Sequence, residues 1–450
     1  MYSADRGLRV YRRLMGSALL TVLAVVPVRA SAEIGGALVD AIRAGDDREL
    51  EEQLSRGYPA QRVLADGSVP LGWAVERQAR GAVRLLLAHG ADPDGTDDYA
   101  LTPLFLACES GDAAVIEQLL DAGASVARRG PDRIAPLAPC AARAPLSVVA
   151  RMLESGAEVD AADWRGQTAL MWAAAAGRAD SARLLLEAGA DPNRVTATGF
   201  TPLFFAVKHG STPVLSLLLE HEADPRHRGP EGASALQLAI YQGHFQVASR
   251  VLSPAADLKA YDRNGQQPLH AAVAAGAEEF VRELLEEGAP VNALTGESRV
   301  SWRYESNFRS GDYQFPELPP LLLAAQAGHG PLIAMLAAAG AAVDFRDAQE
   351  RNVLHLAAGS GSAGALDAAL AVATDINARD ARGQTALHIV LRKSDADAVA
   401  PLAARLLAAG ADPAIEDAEG VTPAAIVRDP HFRARDALPA SLTEEENMSL

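Results

Sequence analysis

Residues 359–364 carry the glycine spacing of a phosphate-binding loop. Their sequence, Gly-Ser-Gly-Ser-Ala-Gly, matches the G-x-G-x-x-G string that holds a dinucleotide pyrophosphate in some α/β proteins. That chemistry requires a strand before the string and a helix that opens at its last glycine. Here the preceding residues have a helical pattern, so the string predicts a turn between two helices rather than a phosphate site.

An acidic run at residues 92–98, Asp-Pro-Asp-Gly-Thr-Asp-Asp, offers the carboxylate ligands that Ca²⁺ prefers. A calcium loop of the EF-hand type needs glycine at its sixth position and Glu at its twelfth. In this run Gly95 is fourth and Pro103 is twelfth. We therefore predict an acidic turn, with a weak surface ion site as the alternative.

The ten histidines and two cysteines are the remaining residues that could act as metal ligands or nucleophiles. The sequence contains no H-E-x-x-H, no paired C-x-x-C and no G-x-S-x-G, which are spacings that metal sites and hydrolases use. Neither Cys108 nor Cys140 has a histidine and an acidic residue in register with it. We therefore predict no catalytic residues, no metal site, no cofactor and no enzymatic activity.

One pattern recurs along most of the chain and must position any site. Residues 168–193 hold two short helical patterns, separated at Gly177 and closed at Gly189. We expect the Thr168 hydroxyl to cap the first helix, and Gly189 to close the second in the left-handed conformation that glycine adopts without a Cβ penalty. Steps of 33 residues, with one break of 52, place a leucine at the same register position in eleven units. These are Leu38, Leu71, Leu104, Leu137, Leu170, Leu203, Leu236, Leu269, Leu321, Leu354 and Leu387.

These units resemble the ankyrin repeat, whose pattern is a turn with Asp and Gly, then T-P-L-H-x-A-A, a glycine loop, a leucine pair and G-A-D-x-N. The stretches that carry the resemblance are 163–174, 198–207, 265–276, 351–361 and 383–390. The resemblance implies an all-α solenoid of about twelve helix-turn-helix units within residues 33–438, of which the first, fourth and last are degenerate. It also implies a structural role for His270, His355 and His388, whose rings would bond to backbone turns of adjacent units.

Residues 1–32 differ from the repeats. Four arginines within residues 6–13 precede an uncharged apolar run at 14–26, and small residues follow it. This order is typical of a secretory signal peptide, and the run is shorter than the roughly 20 residues of a membrane-spanning helix. We predict cleavage after Ala32 and a mature chain that is periplasmic or secreted, without membrane insertion. An uncut membrane anchor is the alternative.

Cys108 and Cys140 lie nearly one repeat apart, at alanine-type positions of first helices. An exported protein could join them, because its compartment permits disulfides. Stacked helices lie about 10 Å apart, however, whereas a disulfide needs Cα atoms within about 7 Å. This comparison favours two buried thiols, and a disulfide remains the alternative.

The chain is acidic, with a net charge of −17. Nucleic-acid binding depends on basic side chains that displace counterions from phosphates, so the charge argues against a nucleic-acid partner. The acidity itself is expected to serve solubility.

The resemblance implies that function lies on a surface, because partners of ankyrin-repeat proteins dock in the groove formed by turn tips and first helices. Exposed Trp, Tyr and Arg are enriched at binding hot spots. The predicted partner-binding residues in the repeats are Trp164, Arg165, Phe200, Lys208, His209, Tyr241, Gln242, Arg263 and Asn264. The alternative for Trp164 and Phe200 is packing against the neighbouring turn.

The largest departure from the repeat is an insertion at residues 294–317, where aromatic residues alternate with arginines. Long insertions in repeat arrays map to loops and often to the binding face. We predict a binding loop in which Trp302, Tyr304, Phe308 and Tyr313 contact the partner; a lid over hydrophobic repeat edges is the alternative. Residues 439–450 are too polar to pack, and we expect an acidic disordered tail.

Together these features predict a non-enzymatic scaffold that acts outside the cytoplasm, is monomeric alone and binds another protein. Two alternatives remain. The first is a secreted effector that binds a protein of another cell, and the second is a small-ligand or ion-binding solenoid.

Overall fold

The computed structural model describes residues 36–61, 63–64, 67–252, 257–262, 264–296, 317–393, 396–428, 432 and 438. The predicted signal peptide at 1–32, most of the insertion and the tail at 439–450 lie outside these residues. The described part contains 23 α-helices, two short 3-10 helices and no strands, which confirms the predicted all-α class. None of its helices is both long and apolar enough to span a bilayer.

The chain forms two compact units, Met1–Pro230 and Glu231–Leu450. The helices of unit 1 are α1 (Gly36–Ala44), α2 (Asp47–Ser55), α3 (Pro70–Glu76), α4 (Arg80–Ala88), α5 (Pro103–Ser110), α6 (Ala113–Asp121), α7 (Leu137–Arg143), α8 (Leu146–Glu154), α9 (Ala169–Ala175), α10 (Ala179–Glu187), α11 (Pro202–His209) and α12 (Thr212–Glu220). A 3-10 helix, Pro131–Arg133, forms part of the fourth turn.

The helices of unit 2 are α13 (Ala235–Tyr241), α14 (Phe245–Val251), α15 (Pro268–Ala274), α16 (Glu278–Glu286), α17 (Pro320–Ala327), α18 (Gly330–Ala338), α19 (Val353–Ser360), α20 (Ala363–Val372), α21 (Ala386–Leu391), α22 (Ala396–Ala408) and α23 (Pro423–Arg428). The other 3-10 helix is Pro230–Gly232.

Within each unit the helices stack in two rows. Odd-numbered helices pack on odd-numbered neighbours and form the inner row, whereas even-numbered helices pack on even-numbered neighbours and form the outer row. All eleven leucines of the repeat register are buried in these rows. Burying a leucine contributes about 1.5–3 kcal/mol, so each pair is stabilised mainly by the pairs beside it.

The second helix of a repeat ends at a residue in the left-handed conformation. Gly189 closes α10 with φ 91°, as predicted. In the next repeat Glu222 occupies this place with φ 64°, a conformation that a side chain adopts only at a cost of about 1–2 kcal/mol.

The prediction that the Thr168 hydroxyl caps the first helix is wrong. Thr168 precedes α9, but its Oγ1 is buried and makes no hydrogen bond. The apolar residue three positions on does not decide this, because Thr102 caps α5 and its Oγ1 accepts the Phe105 N–H at 3.1 Å. In four repeats of unit 2 that position holds Gln237, His270, His355 or His388, and the backbone N–H of Thr385 donates to Nδ1 of His388 at 3.1 Å.

Candidate functional site

The turns between helix pairs are held by an aspartate that binds its own backbone. Oδ1 of Asp163 accepts hydrogen bonds from the backbone N–H groups of Arg165 and Gln167, both at 2.8 Å. The same pair of bonds forms in unit 2 at Asp262, Asp347, Asp380 and Asp417. Burial raises the pKa of Asp163, and the two backbone N–H groups oppose that shift. These five turn tips are therefore fixed by hydrogen bonds to their own backbone.

Adjacent tips are joined to one another through their backbones. In unit 1 the Trp164 N–H donates to the Asp132 carbonyl at 3.1 Å, and the Ala197 N–H donates to the Arg165 carbonyl at 2.7 Å. In unit 2 the Ala418 N–H donates to a carbonyl of the preceding tip at 2.8 Å. The tips thus form a hydrogen-bonded row within each unit.

Long polar side chains reinforce this row across one repeat. Nη1 of Arg129 donates to the carbonyl of Ala162 at 2.7 Å, and Nη1 of Arg346 donates to that of Arg379 at 3.0 Å. The donor and acceptor are 33 residues apart in each case. The hydrogen bond therefore links equivalent places in neighbouring turns.

Two predicted site residues in unit 1, Trp164 and Arg165, lie together on one tip. The Trp164 side chain is 54% exposed, and the Arg165 guanidinium lies over its ring at 4.8 Å from the centroid. Phe200 is different, because it is half-buried and meets Phe204 edge-on at 5.6 Å between ring centroids. Trp164 is therefore available to a partner, whereas Phe200 also serves packing.

Lys208 and His209 are exposed at the end of α11. The His209 ring covers Gly177 of the preceding repeat, where a Cβ would lie 2.3 Å from Nε2. Because the exposed His209 side chain can move, it is the left-handed backbone of Gly177, with φ 68°, that favours glycine here.

In unit 2, Tyr241 ends α13 and is 64% exposed, and Gln242 beside it is also exposed. Asn264 is half-buried on its turn tip. The other predicted site residues of this unit lie outside the described part of the chain, namely Arg263, Trp302, Tyr304, Phe308 and Tyr313.

Sequence reasoning missed a row of apolar side chains on the inner helices of unit 1. Trp73, Leu106, Trp172 and Phe205 each follow the repeat anchor by four residues, and all are half-buried. The sequence could have indicated them, because the repeat pattern does not require a large apolar residue at this position and four repeats nevertheless have one. They add an apolar floor to the face that carries Trp164.

The insertion begins and ends at a turn tip of unit 2. The Thr295 N–H donates to the Leu318 carbonyl at 3.1 Å, and the Leu318 N–H donates to Thr295 Oγ1 at 3.0 Å. Thr196 and Phe200 make the same two bonds, both at 2.9 Å, around an ordinary three-residue tip. Residues 296–317 therefore stand in the place of three residues.

The base of the insertion is further held by Tyr261 and Gly296. The Tyr261 hydroxyl donates to the Leu294 carbonyl at 3.1 Å, and the Gly296 N–H donates to the Gly265 carbonyl at 2.7 Å. The insertion thus leaves the backbone bonds of the turn row intact on its N-terminal side.

The three T-P-L-H histidines have the structural role that the resemblance implied. Nε2 of His270, His355 and His388 bonds the carbonyls of Ala293, Gln384 and Val421 at 2.8, 3.1 and 3.0 Å. Burial lowers the pKa of all three rings, and the carbonyl acceptors oppose the shift. These histidines hold the turns together and face no open site.

The two ligand-like strings also form turns. In residues 359–364, Ser360 ends α19, Gly361 follows it with φ 81°, and Ser362 caps α20, which confirms the predicted inter-helix turn. In the acidic run, Oδ1 of Asp94 accepts the Ser125 N–H at 2.9 Å. No group of three or more His, Cys, Asp or Glu in the described ranges could hold a metal ion.

A cavity of about 160 Å³ in unit 1 is lined by residues 60–61, 63, 69, 71, 91–92 and 95–96. Pockets that hold small ligands usually measure about 300–1,000 Å³. This cavity gives no support to a small-ligand function.

The expectation of two buried thiols is wrong, because Cys108 on α5 and Cys140 on α7 form a disulfide with Cα atoms 4.5 Å apart. The expectation used the separation of about 10 Å between helix axes, but each Cα lies about 2.3 Å from its axis. Two Cα atoms that face each other across such a contact are therefore only about 5 Å apart.

The repeats match a known protein family. The family model described as ankyrin repeats (3 copies) matches residues 38–129, 137–229, 203–295 and 319–426. Many solved structures also match, among them the crystal structure of the human ASB11 ankyrin repeat domain. That domain is 27% identical, and the match covers 49% of this chain and 99% of that chain with a TM-score of 0.44. No curated protein matches the chain.

Proposed function

Since the chain belongs to the ankyrin-repeat family, we propose that it acts outside the cytoplasm and binds a protein through its turn tips, its inner helices and the insertion at residues 294–317. Ankyrin repeats form protein–protein interaction scaffolds, and the fold is typically a non-enzymatic module. The observation that carries the proposal is the exposed Trp164, with the Arg165 guanidinium over its ring, on a tip that is hydrogen-bonded on both sides.

A fixed tip matters because binding loses the entropy of every side chain and loop that it orders. The backbone bonds of Asp163 and the links to the neighbouring tips hold Trp164 and Arg165 before a partner arrives. Tryptophan then supplies a large contact area with only two side-chain torsions, and both tryptophan and arginine are enriched at hot spots.

The insertion supports the same proposal because it replaces a turn tip. Its ends, Thr295 and Leu318, are bonded like those of an ordinary tip, so the insertion is attached at a tip of the same unit as Tyr241 and Asn264. Trp302, Tyr304, Phe308 and Tyr313 are the proposed contacts within it.

Export is part of the proposal and has two supports. The sequence of residues 1–32 is typical of a signal peptide. The disulfide between Cys108 and Cys140 is of the kind that persists in oxidising compartments and is rare in the cytosol.

Fractionation of the producing cells tests export. We expect a chain that starts at Glu33 in the periplasm or the medium. Appearance in the medium, together with capture of a protein from another cell, would favour the secreted-effector alternative. A full-length chain retained in the cytoplasm would contradict the proposal.

Partner capture tests the surface. The mature chain is compared with a variant in which Ala-Thr-Gly, the three residues between Thr196 and Phe200, replaces residues 296–317. Because the variant keeps the Thr295–Leu318 base, we expect its melting temperature to be unchanged. Because it lacks the proposed contacts, we expect it to capture no partner after cross-linking. Unchanged capture would remove the insertion from the proposed surface, and a lowered melting temperature would make it a structural lid.

Substitution of single tip residues refines the test. Trp302→Ala and Trp164→Ala should each weaken capture by about 1–2 kcal/mol without melting the repeats. Arg48→Ala on α2, an exposed outer-row position, is the control that should change nothing.

A small-ligand or ion-binding solenoid is the alternative of another class. A ligand at 100 times its dissociation constant stabilises a protein by about 2.7 kcal/mol, which a melting curve detects. A shift with calcium, sugars or nucleotides would favour that alternative over a protein partner.

A further inference from the structure

We propose that the disulfide between Cys108 and Cys140 controls the order of the turn tip that carries Trp164, so that this part of the partner-binding surface is held in place only in the oxidised chain. The proposal rests on the function proposed above and adds how the surface is regulated. Residues 130–134 are called here the fourth tip, and residues 163–167 the fifth tip.

The fifth tip is bonded to the fourth tip at Trp164. The Trp164 N–H donates to the Asp132 carbonyl at 3.1 Å. Oδ1 of Asp163 accepts the N–H groups of Arg165 and Gln167 at 2.8 Å and leaves that of Trp164 to the fourth tip. The backbone position of Trp164 therefore depends on the order of the fourth tip.

The fourth tip lacks the aspartate that holds its counterparts. In three other tips an aspartate accepts the N–H of the residue whose carbonyl bonds to the next tip, namely Asp163, Asp347 and Asp380. The corresponding residue of the fourth tip is Gly130, which has no side chain that could accept the Asp132 N–H. The carbonyl that binds Trp164 is therefore less firmly held than its counterparts.

Two residues of the fourth tip also have a left-handed backbone that suits glycine. The angle φ is 56° at Asp132 and 63° at Arg133. Five other tips have a glycine at the position of Arg133, namely Gly166, Gly199, Gly265, Gly383 and Gly420. A side chain in this conformation raises the free energy of the folded tip. The fourth tip consequently depends on contacts with the helices around it.

Helix α5 and the disulfide provide these contacts. The Gly130 backbone lies against the Phe105 ring, because a Cβ at Gly130 would lie 2.9 Å from Cδ2 of the ring. Phe105 and Cys108 are both on α5 and are fully buried. Cys140 is on α7, the helix that follows the fourth tip. The disulfide thus holds α7, and the tip before it, close enough to α5 for Phe105 to cover Gly130.

Formation of the disulfide makes this order depend on the compartment. The two thiols lose two electrons and two protons, and a disulfide of a thiol oxidoreductase or of oxidised glutathione takes them up and becomes two thiols. Cys108 and Cys140 are fully buried in the folded chain, so the exchange has to occur before unit 1 has closed around them. A chain that folds in a reducing compartment would have a loose fourth tip.

Hydrogen–deuterium exchange tests this coupling without a partner. The mature chain is compared with its Cys108→Ala/Cys140→Ala variant, and mass spectrometry of peptides gives the exchange rates. We expect the amides of the fourth tip and of Trp164 to exchange about tenfold faster or more in the variant. Amides of residues 347–351 in unit 2 should exchange at the same rate in both chains.

Gly130→Ala tests the same coupling with the disulfide intact. The added Cβ would push the fourth tip away from Phe105, and we expect the Trp164 amide to exchange about tenfold faster again. In the chain without cysteines, Arg133→Gly supplies the glycine of the other tips. It should slow the exchange of the fourth tip about threefold.

Leu50→Ala is the matched control, because it weakens unit 1 in the first repeat. Leu50 is fully buried on α2, which packs on α1 and α4. Truncation of a buried leucine destabilises a protein about as much as the loss of a disulfide does. We expect Leu50→Ala to lower the urea midpoint as the cysteine variant does, and to leave the exchange of the fourth tip and of Trp164 unchanged.

Unchanged exchange at Trp164 in the cysteine variant or in Gly130→Ala would overturn the proposal, and so would equal acceleration in Leu50→Ala. Neither result involves a partner, so the proposed protein binding would stand. Capture tests the link to that function, because Trp164→Ala should weaken capture by the oxidised chain about tenfold and change that by the cysteine variant little. Unchanged capture by Trp164→Ala in the oxidised chain would contradict the proposed function instead.

Discussion

At the scale of single residues, the hydroxyl groups of Thr168 and Thr385 differ in what they meet. Thr168 Oγ1 is buried without a hydrogen bond, whereas Thr385 Oγ1 lies 2.9 Å from Nδ1 of His388. A buried polar group without a partner costs about 1–3 kcal/mol, and a satisfied one contributes about 1 kcal/mol. The same substitution at the two places should therefore have opposite effects.

We expect Thr168→Val to raise the free energy of unfolding by about 1 kcal/mol and Thr385→Val to lower it by about 1 kcal/mol. Valine fits the extended backbone at Thr168, with φ −103° and ψ 169°, and Val69 already occupies the equivalent place before α3. Urea unfolding of the mature chain followed by circular dichroism measures both. Destabilisation by both variants would contradict the assignment of the unpaired hydroxyl.

The buried histidines make unit 2 sensitive to acid. Burial lowers the pKa of His270, His355 and His388 below the value of the unfolded chain, so the unfolded state binds more protons below about pH 6.5. The stability that these neutral rings contribute is complete above that pH, and it is lost as the pH falls from there towards the folded pKa. We therefore expect the unfolding free energy to decrease between pH 7 and pH 5.

A glutamine at the same place should remove this dependence and keep the bonds. Gln237 already does so in unit 2, where Oε1 accepts the Ser234 N–H at 3.0 Å and Nε2 donates to the Ala260 carbonyl at 3.1 Å. The slope of stability against pH should be smaller in His355→Gln than in the natural chain. His209→Gln, at an exposed place, is the control. An unchanged slope in His355→Gln would contradict the role of the buried ring.

At the scale of helices and turns, the disulfide joins two neighbouring inner helices around the degenerate fourth repeat. The turn before α7 holds Asp132 and Arg133 with φ 56° and 63°, a conformation that costs a side chain about 1–2 kcal/mol. A repeat with these features is weak by itself. The covalent link to α5 offsets that weakness by restricting the unfolded chain.

Loss of the disulfide should therefore destabilise unit 1 by about 3 kcal/mol. We expect a reducing agent to lower the urea midpoint of the natural chain and to leave that of Cys108→Ala/Cys140→Ala unchanged. Both sulfurs are buried, so reduction should be slow in the folded protein. Two titratable thiols in the unreduced, denatured chain would contradict the pairing.

The sequence pattern was sufficient to predict the helices and turns, because each repeat contains residues that mark where its helices begin and end. The leucine positions and Gly189 follow from the 33-residue step, and the histidine bonds follow from the resemblance. Contacts that depend on the distance between side chains of neighbouring helices could not be predicted from the pattern. The Cys108–Cys140 pairing depends on two facing Cα atoms, and the 33-residue step does not distinguish the unpaired Thr168 hydroxyl from that of Thr102, which accepts the Phe105 N–H.

The candidate surface was predictable only in part. Trp164 and Arg165 were found because exposed aromatic and basic residues stand out on a turn tip. Trp172 and Phe205 were missed because an apolar residue on an inner helix resembles core until its exposure is known. The boundary of the insertion was clear from the register, and the Thr295–Leu318 base then fixed the three-residue tip that it replaces.

At the scale of the whole molecule, the two units are stabilised by different means. In unit 1 the residues three positions after the helix anchors are apolar, as at Phe105, Met171 and Phe204, and a disulfide is present. In unit 2 those positions include Gln237 and three histidines that bond to backbone. The stability of the first unit therefore depends on the oxidation of its cysteines, and that of the second unit depends on pH.

Because one unit depends on a disulfide, the compartment in which the chain folds should determine its final state. We compare the natural chain with a variant that lacks residues 2–32. The exported chain should yield no titratable thiols after denaturation, whereas the variant retained in the cytosol should yield two and unfold at lower urea. Treatment of the retained variant with oxidised and reduced glutathione should restore both properties. Two thiols in the exported chain, or none in the retained one, would separate the disulfide from export and remove this support for a function outside the cytoplasm.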